Sequence, residues 1–348
     1  MKTIIPVIMD KSFKRLAAID DFCSFIWTSR YYEPGDFELV VPATAENFEL
    51  FKSDYFVARD DDDNVGIVET ITLQRDENGA ERMIVSGRFL QSLLERRIIA
   101  EQTTVSGKLS DCVRELIADN MIAPAMAARR VPGFALDPDF DFETAFQAQY
   151  TGKNLLEVVS DICKTYKLGF RVIPKAPSFF FFSLYEGLDR TYDQQTNEWV
   201  VFSDKFDNLL TSEYVESYAE QITAVLTAGE GEGLDRKTAW TSNGETGLDR
   251  REAYNEERNI RSNEGEIPEA EYIELLKESG KEKITKITSA FSGTVYFDGI
   301  RYKEDVNLGD LCVIENSRWG LSINARLVEV IESVSETGEY SIIPTFGA

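Results

Sequence analysis

The feature that most restricts the fold is a β-hairpin written twice. Val68-Glu69-Thr70-Ile71 opens a run that closes at Gly87, and Val328-Glu329-Val330-Ile331 opens one that closes at Gly347, the same distance on. Each run carries a turn, Asp76-Glu77-Asn78-Gly79 in the first and Glu336-Thr337-Gly338 in the second, with the glycine displaced by one. Asn-Gly supplies the positive φ angles of a tight hairpin turn. An apolar strand precedes each, Tyr55 to Ala58 and Leu311 to Ile314. Two generic hairpins can match by chance. The alternative is one β unit present twice, with a helical domain between the copies.

Other strands surround the first hairpin. Phe37 to Pro42 follows the turn Glu33-Pro34-Gly35-Asp36, with Gly35 expected at positive φ, and Val65 to Leu73 alternates in part. Short strands this close together suggest a small sheet or barrel.

The middle of the chain changes period. Leu109, Cys112, Val113, Leu116 and Ile117 fall on one helix face, with Ser106 as the expected N-cap. Leu155, Val158, Val159, Ile162 and Cys163 repeat the spacing, and the helix is expected to end near Lys167 and Gly169, a basic C-terminus and a C′ glycine. Phe170 to Ile173 and Phe179 to Tyr185 read as a strand pair, and the four phenylalanines Phe179 to Phe182 need cover on both faces. β character returns from Trp199 through Gln221 to Ala228, and again from Ile284. Between them, Gly229 to Lys283 is polar and holds one helix, opened by Pro268 and stopped by Gly280. Gly-Leu-Asp-Arg recurs at Gly187, Gly233 and Gly247 with unequal spacing, which reads as repeated turn chemistry.

The chemistry available is narrow. There is no histidine, so Ser-His-Asp, Cys-His and His-metal sites are excluded. Cys23, Cys112, Cys163 and Cys312 are far apart, which argues against a zinc site or a disulfide framework. A net charge of −24 argues against a basic nucleic-acid groove. No stretch approaches the roughly 20 apolar residues of a membrane span. Asp60-Asp61-Asp62-Asp63-Asn64 has Val65 where a calcium loop needs Gly and Ile71 where it needs Glu, so it reads as a hairpin tip. Asp137, Asp139, Asp141 and Glu143 alternate with Phe140 and Phe142. On an extended segment they share a face, open to a cation or to Arg129 and Arg130 of another subunit, although a polar strand face is the simpler reading. Gly229 to Gly233 lacks the Gly-Lys-Ser/Thr of a phosphate loop. No catalytic, cofactor-binding or metal residue is assigned, and no enzyme is expected.

The stretch Trp27-Thr28-Ser29-Arg30-Tyr31-Tyr32-Glu33-Pro34-Gly35-Asp36-Phe37-Glu38-Leu39 resembles the opening of siphophage and prophage tail hub proteins, the Gp37-like or tail-associated family. Val65-Gly66-Ile67-Val68-Glu69 matches as well, as do the stretch from Gly87 to Arg97, Gly229-Glu230-Gly231, and the stretch from Gly247 to Tyr254. The family is related to the baseplate hub of contractile tails. The resemblance implies two β-barrel tube domains and two accessory domains per chain, in a homotrimer whose six barrels form a pseudo-sixfold ring. It also implies as partners a distal tail protein or tail tube ring, a tape measure protein, and tip, spike or receptor-binding proteins. DNA would pass through the channel unbound, in a virion tail or tailocin assembled in the host cytoplasm. With the chain ending at Ala348, no lytic extension is carried over.

The expected fold class is therefore α+β, mainly β, with two similar β-barrel tube domains. The first barrel is placed at 1–95 and an α+β accessory domain at 96–198, whose last strands either stay with it or return to the first barrel. The second barrel takes 199–228 and 284–348, and a polar inserted segment takes 229–283. The expected function is a structural tail hub that ends the tail tube and connects it to the tip. A carboxylate-based glycan hydrolase or carbohydrate-binding β protein is the alternative.

Overall fold

The computed structural model describes residues 4–176, 178–209, 211–285, 288–292 and 300–347. The largest element is a ten-stranded sheet built from both ends of the chain; eight strands follow one path, and Leu311–Asn316, with Val201–Ser203 parallel beside it, pairs the start of the strand Leu321–Ser335 off that path. The first half contributes β1 (Ser24–Arg30), β2 (Asp36–Pro42), β3 (Thr70–Arg75) and β4 (Glu81–Arg88). The second contributes β5 (Glu213–Ser217), β6 (Thr288–Ser292), β7 (Leu321–Ser335) and β8 (Tyr340–Gly347). Neighbours run β3-β4-β2-β1-β7-β8-β6-β5, antiparallel throughout. The second four strands thus repeat the order of the first four. The duplicated hairpins are β3–β4 and β7–β8, with Gly79 and Gly338 at positive φ in their turns. The two units follow one another head to tail in one sheet, joined where β1 pairs with β7.

Alternation explains which face is buried. Along β7, Ala325, Leu327, Val330 and Val334 point inward and their neighbours are more exposed. In the first half, a four-stranded sheet covers this face, in the order Arg15–Ala18, Pro6–Met9, Phe56–Arg59, Asp62–Ile67. Its Ile8 and Val57 share a core with Trp27, Phe37, Leu39 and Val85. Each such fully buried large side chain contributes about 1.5–3 kcal/mol. In the second half, Phe202, Cys312 and Ile314 pack on Leu327 and Phe346. Among the described residues neither half closes into a barrel on its own strands; the two run on as one sheet. The run expected from Val65 to Leu73 is also two strands, because the chain turns at Val68 and Glu69 to pass from one layer to the other.

The middle of the chain holds α1 (Leu109–Ile117) and α2 (Leu155–Tyr166), and every residue expected on their apolar faces is buried. Their ends differ from expectation. Ser106 does not cap α1, because it lies inside the strand Thr103–Lys108 that pairs with Ala145–Tyr150; Lys108 stands at the cap instead. Gly169 does not stop α2. Lys167 takes the left-handed conformation there, and Gly169 opens a strand where a Cβ would lie 2.4 Å from the Tyr31 ring. The expected strand pair is present as Gly169–Lys175 against Ser178–Tyr185. Its phenylalanines are covered in part by the first half: Phe13 stacks on both Phe56 and Phe179, with ring centres 4.3 and 5.1 Å apart.

The inserted region is more ordered than its composition suggests. Ala224–Ala228 is the central strand of a small sheet, flanked by Thr238–Ser242 and Glu252–Glu256, and α3 (Glu269–Lys283) packs on it. Gly280 does not end α3. It faces the sheet from the last turn, three residues before the helix ends, where a Cβ would approach the Thr241 and Thr227 hydroxyl oxygens to 2.7 and 2.8 Å. Two of the three Gly-Leu-Asp-Arg copies do form the same short turn, at Gly233 and Gly247; the copy at Gly187 has no such turn. Part of the stretch expected as β from Ile284, residues 286–287 and 293–299, lies outside the described residues.

Candidate functional site

The densest polar chemistry in the molecule lies where β1 meets β7. Arg59 ends a strand of the covering sheet and is buried. Its guanidinium forks onto Glu332 of β7 at 2.9 and 3.1 Å, and onto Asp61 at 2.9 and 2.8 Å. Tyr340 donates to Glu332 at 2.7 Å, and Lys303 stands 3.6 Å away. Trp27 Nε1 donates to Asp62, which also takes Lys303 at 2.7 Å. Burial alone would raise the Glu332 carboxyl, but the charge and hydrogen bonds of Arg59, with Lys303 and Tyr340, outweigh it and hold the group down at about 2. The same pairing keeps Arg59 protonated against its burial.

A second link runs along the strands. Arg30 of β1 lies opposite Glu329 of β7 and donates to it at 2.7 Å, while its other arm reaches Asp36. Tyr31 then fixes the middle of the chain to the same place. Its buried hydroxyl accepts from Gly187 N at 3.1 Å and lies within donating distance of the Lys167 and Tyr185 carbonyls. Burial raises that hydroxyl to about 12, so it stays a donor.

Beside this junction lies a cleft of about 650 Å³, lined by Arg30, the 60–64 turn, Gln91, Tyr185, Tyr302, Lys303 and Asp310. Both signs of charge line it, and Asp60, Asp61, Asp62 and Asp310 already hold Arg15, Arg59, Lys303 and Arg190. Among the described residues no three Asp, Glu or Cys side chains stand where they could share a metal ion.

The other acidic run does not form one face. Asp137 is buried, Phe140 is buried beside it, and Asp141 and Glu143 sit near Lys108. Arg129 is committed within the chain, to Asn120 and the Ile98 carbonyl. Cys112, Cys163 and Cys312 are free and buried, and burial pushes their thiols up. No helix among the described residues is long and apolar enough to cross a membrane.

The sequence reading passed over Arg59 and Glu332. A signal was available: Glu332 is a charge at an inward position between Val330 and Val334, where alternation calls for an apolar side chain.

The fold is that of phage and prophage tail proteins. A tail protein from Neisseria meningitidis MC58 superposes with a TM-score of 0.60 at 13% identity, over 100% of this chain and 97% of that one. The 43 kDa tail protein of prophage MuSo2 from Shewanella oneidensis gives 0.56 at 13%, over 99% and 97%. Prophage tail protein gp18 from Listeria monocytogenes EGD-e gives 0.54 at 12%, over 99% and 94%. No curated protein sequence matches the chain. Residues 5–348 match the family of Siphovirus ReqiPepy6 Gp37-like proteins, and the chain belongs to it. The resemblance read from Trp27 to Leu39 and the later motifs is borne out. Structurally, the first of those motifs is the inner junction, carrying Trp27, Arg30 and Tyr31.

Proposed function

We propose that this chain is a structural, non-enzymatic hub of a phage-type tail, and that its copies join by repeating between chains the junction made once within each chain. The observation that carries this is the strand order. Two four-strand units stand head to tail, and the join between them is β1 against β7. At the two ends of the sheet, β5 stands where β1 stands in its own unit, and β3 where β7 stands in its own. Both have only one strand neighbour among the described residues. A β5 edge can therefore take the β3 edge of the next copy, antiparallel, as β1 takes β7.

Such a contact is heterologous, so it grows until the rotation closes a ring. The resemblance supplies the number: three chains, six units and a pseudo-sixfold ring. The barrel wall would then be shared among chains. The covering sheet, the α/β region around 96–198 and the inserted region would form the parts outside that wall. The ring would continue a tail tube on one side and meet tip, spike or receptor-binding proteins on the other. An excess of acid on the channel wall would keep passing DNA from binding.

A proline at the open edge tests the reading. Asp76 N donates to Ala80 O, so alternate amides back along β3 face β4, and those of Ile71 and Leu73 face outward. Leu73→Pro removes an outward donor only. We expect a folded chain that no longer assembles, read by native mass spectrometry against a wild-type trimer. A variant that assembles normally, or a wild type that is monomeric at all concentrations, would contradict it.

A further inference from the structure

Among the contacts that seat the inserted unit on the helical unit, which include Gln149 with the Arg261 backbone and Lys153 with Glu257, are two tyrosine–carboxyl pairs. Tyr150, at the end of the strand Ala145–Tyr150, donates to Glu282 of α3 at 2.7 Å. Tyr166, the last residue of α2, donates to Glu278 of α3 at 2.5 Å. Positions 278 and 282 lie one turn apart on a single face, so α3 presents two carboxyls to the seam together. A cavity of about 60 Å³ remains beside Glu282, bordered by Lys153, Glu157, Asp161, Glu257 and Lys283. That volume admits water, and with it a proton.

The charges around Glu282 leave it without a cation of its own. From α2 it faces Glu157 and Asp161. From α3 it has Glu278 one turn back, and Lys281, which is held by Tyr166 at 3.0 Å and by Glu278 at 3.4 Å. Lys153, from the loop before α2, is taken by Glu257 at 2.9 Å. Lys283 lines the cavity but makes no ion pair there among the described residues. Burial, then Asp161 and Glu278, push the Glu282 carboxyl up to about 7, against the Tyr150 hydrogen bond and Lys283. Asp161 is raised as well, mainly by burial.

We propose that a proton latches the inserted unit to the helical unit: the seam is closed while the Glu282 carboxyl is protonated and loosens when it ionises. Neutral, the carboxyl accepts from Tyr150 and leaves one fewer charge in an acidic cavity. Ionised, it adds a carboxylate beside Asp161 and Glu278, and Lys283 offsets it only from a distance, without an ion pair among the described residues. The sign follows from linkage. A carboxyl raised above its unfolded value stabilises the closed seam below about 4.5, and that contribution is lost as pH rises through about 7. The inserted unit is thus seated in mild acid and freed in mild alkali. This does not depend on how copies assemble.

The test is hydrogen exchange on the whole chain, corrected for intrinsic rates, followed in 145–166 and 269–283 from pH 5.5 to 8.5. For wild type we expect protection of α3 to fall by up to about tenfold per unit as pH rises toward 7, the response of one linked proton, and to level off above about 7. Glu282→Gln should hold that protection flat. Asp161→Asn removes a like charge and should move the midpoint down. Tyr150→Phe, by removing a bond to the ionised form, should move the midpoint up. A flat wild-type profile, or an unchanged slope in Glu282→Gln, overturns the proposal. If Glu282→Gln does not fold, opposite midpoint shifts in Asp161→Asn and Tyr150→Phe support it, and unmoved midpoints in both overturn it.

Discussion

The junction between β1 and β7 and the open edges at β3 and β5 occupy equivalent places in two copies of one unit, yet their side chains differ sharply. At the junction, Glu332 is buried against Arg59, and Glu329 holds Arg30. Four residues after the shared valine, where β7 has Glu332, β3 has Thr72; one residue after it, both have glutamate, but Glu69 turns to Arg88 of its own hairpin. Thr70, Gln74 and Arg75 on β3 are exposed, as are Glu213 and Glu216 on β5. Polar, charged edges resist indiscriminate pairing. One junction is closed within the chain, while the edges at β3 and β5 have no further strand among the described residues. A hub of the proposed kind uses both, a subunit rigid before it assembles and edges that do not pair beforehand.

The comparison is broken most severely by Arg59→Ala. Removing Arg59 takes the bidentate partner from buried Glu332 and leaves it Tyr340 and the more distant Lys303, at a cost of about 3–5 kcal/mol in urea unfolding. The open edges have no counterpart to Arg59, so a loss below about 1 kcal/mol would erase the distinction between the two junctions. Acid should reach the same lock. The Glu332 carboxyl is held at about 2, below its usual 4.5, so its contribution is present above pH 4.5 and is lost as pH falls toward 2. Thermal melts from pH 6 to 2 should show this acid limb in wild type and a shallower one in Arg59→Ala.

A smaller effect is expected beside the junction. Gly35 does not have the positive φ expected of it. It is a close-approach position, where a Cβ would lie 2.2 Å from the Thr28 carbonyl oxygen and 2.5 Å from the Phe89 ring. Gly35→Val should cost about 1–3 kcal/mol by overpacking, and an unchanged melting temperature would refute the contact. The smallest effect belongs to the open-edge hairpin. Gly79 has φ +83°, and a Cβ there would meet only the Arg75 guanidinium at an ordinary 3.7 Å, so Gly79→Ala should cost about 1 kcal/mol from backbone strain. A larger loss would mean that the β3–β4 tip is not free in the isolated subunit.

These positions also show where sequence reasoning reached and where it stopped. The two hairpins, both helix faces and the strand pair after α2 were legible because period and turn chemistry are local. Caps were less legible: Gly169 and Gly280 look like stops but serve close packing against Tyr31 and against Thr227 and Thr241, partners distant in sequence. The strands Thr238–Ser242 and Glu252–Glu256 were missed because short polar strands on a small sheet carry little apolar alternation. Arg59 and Glu332 lie far apart in the chain, and only the fold brings them together.

The most direct test of the repeated junction is a cross-link between copies. Within the chain Trp27 lies opposite Glu332. The strand registers make Val215 the counterpart of Trp27, through Phe37↔Gly87 and Ala290↔Gly347, and Gln74 the counterpart of Glu332, through Gln74↔Arg82 and Glu332↔Ile342. Gln74 of one copy should therefore face Val215 of the next, within the Cα separation that a disulfide spans. Mild oxidation of the Gln74→Cys, Val215→Cys double variant should give a covalent ladder that ends at the trimer, with neither single variant doing so. A double variant that stays monomeric under oxidation, or a ladder that runs on past three, would contradict the account.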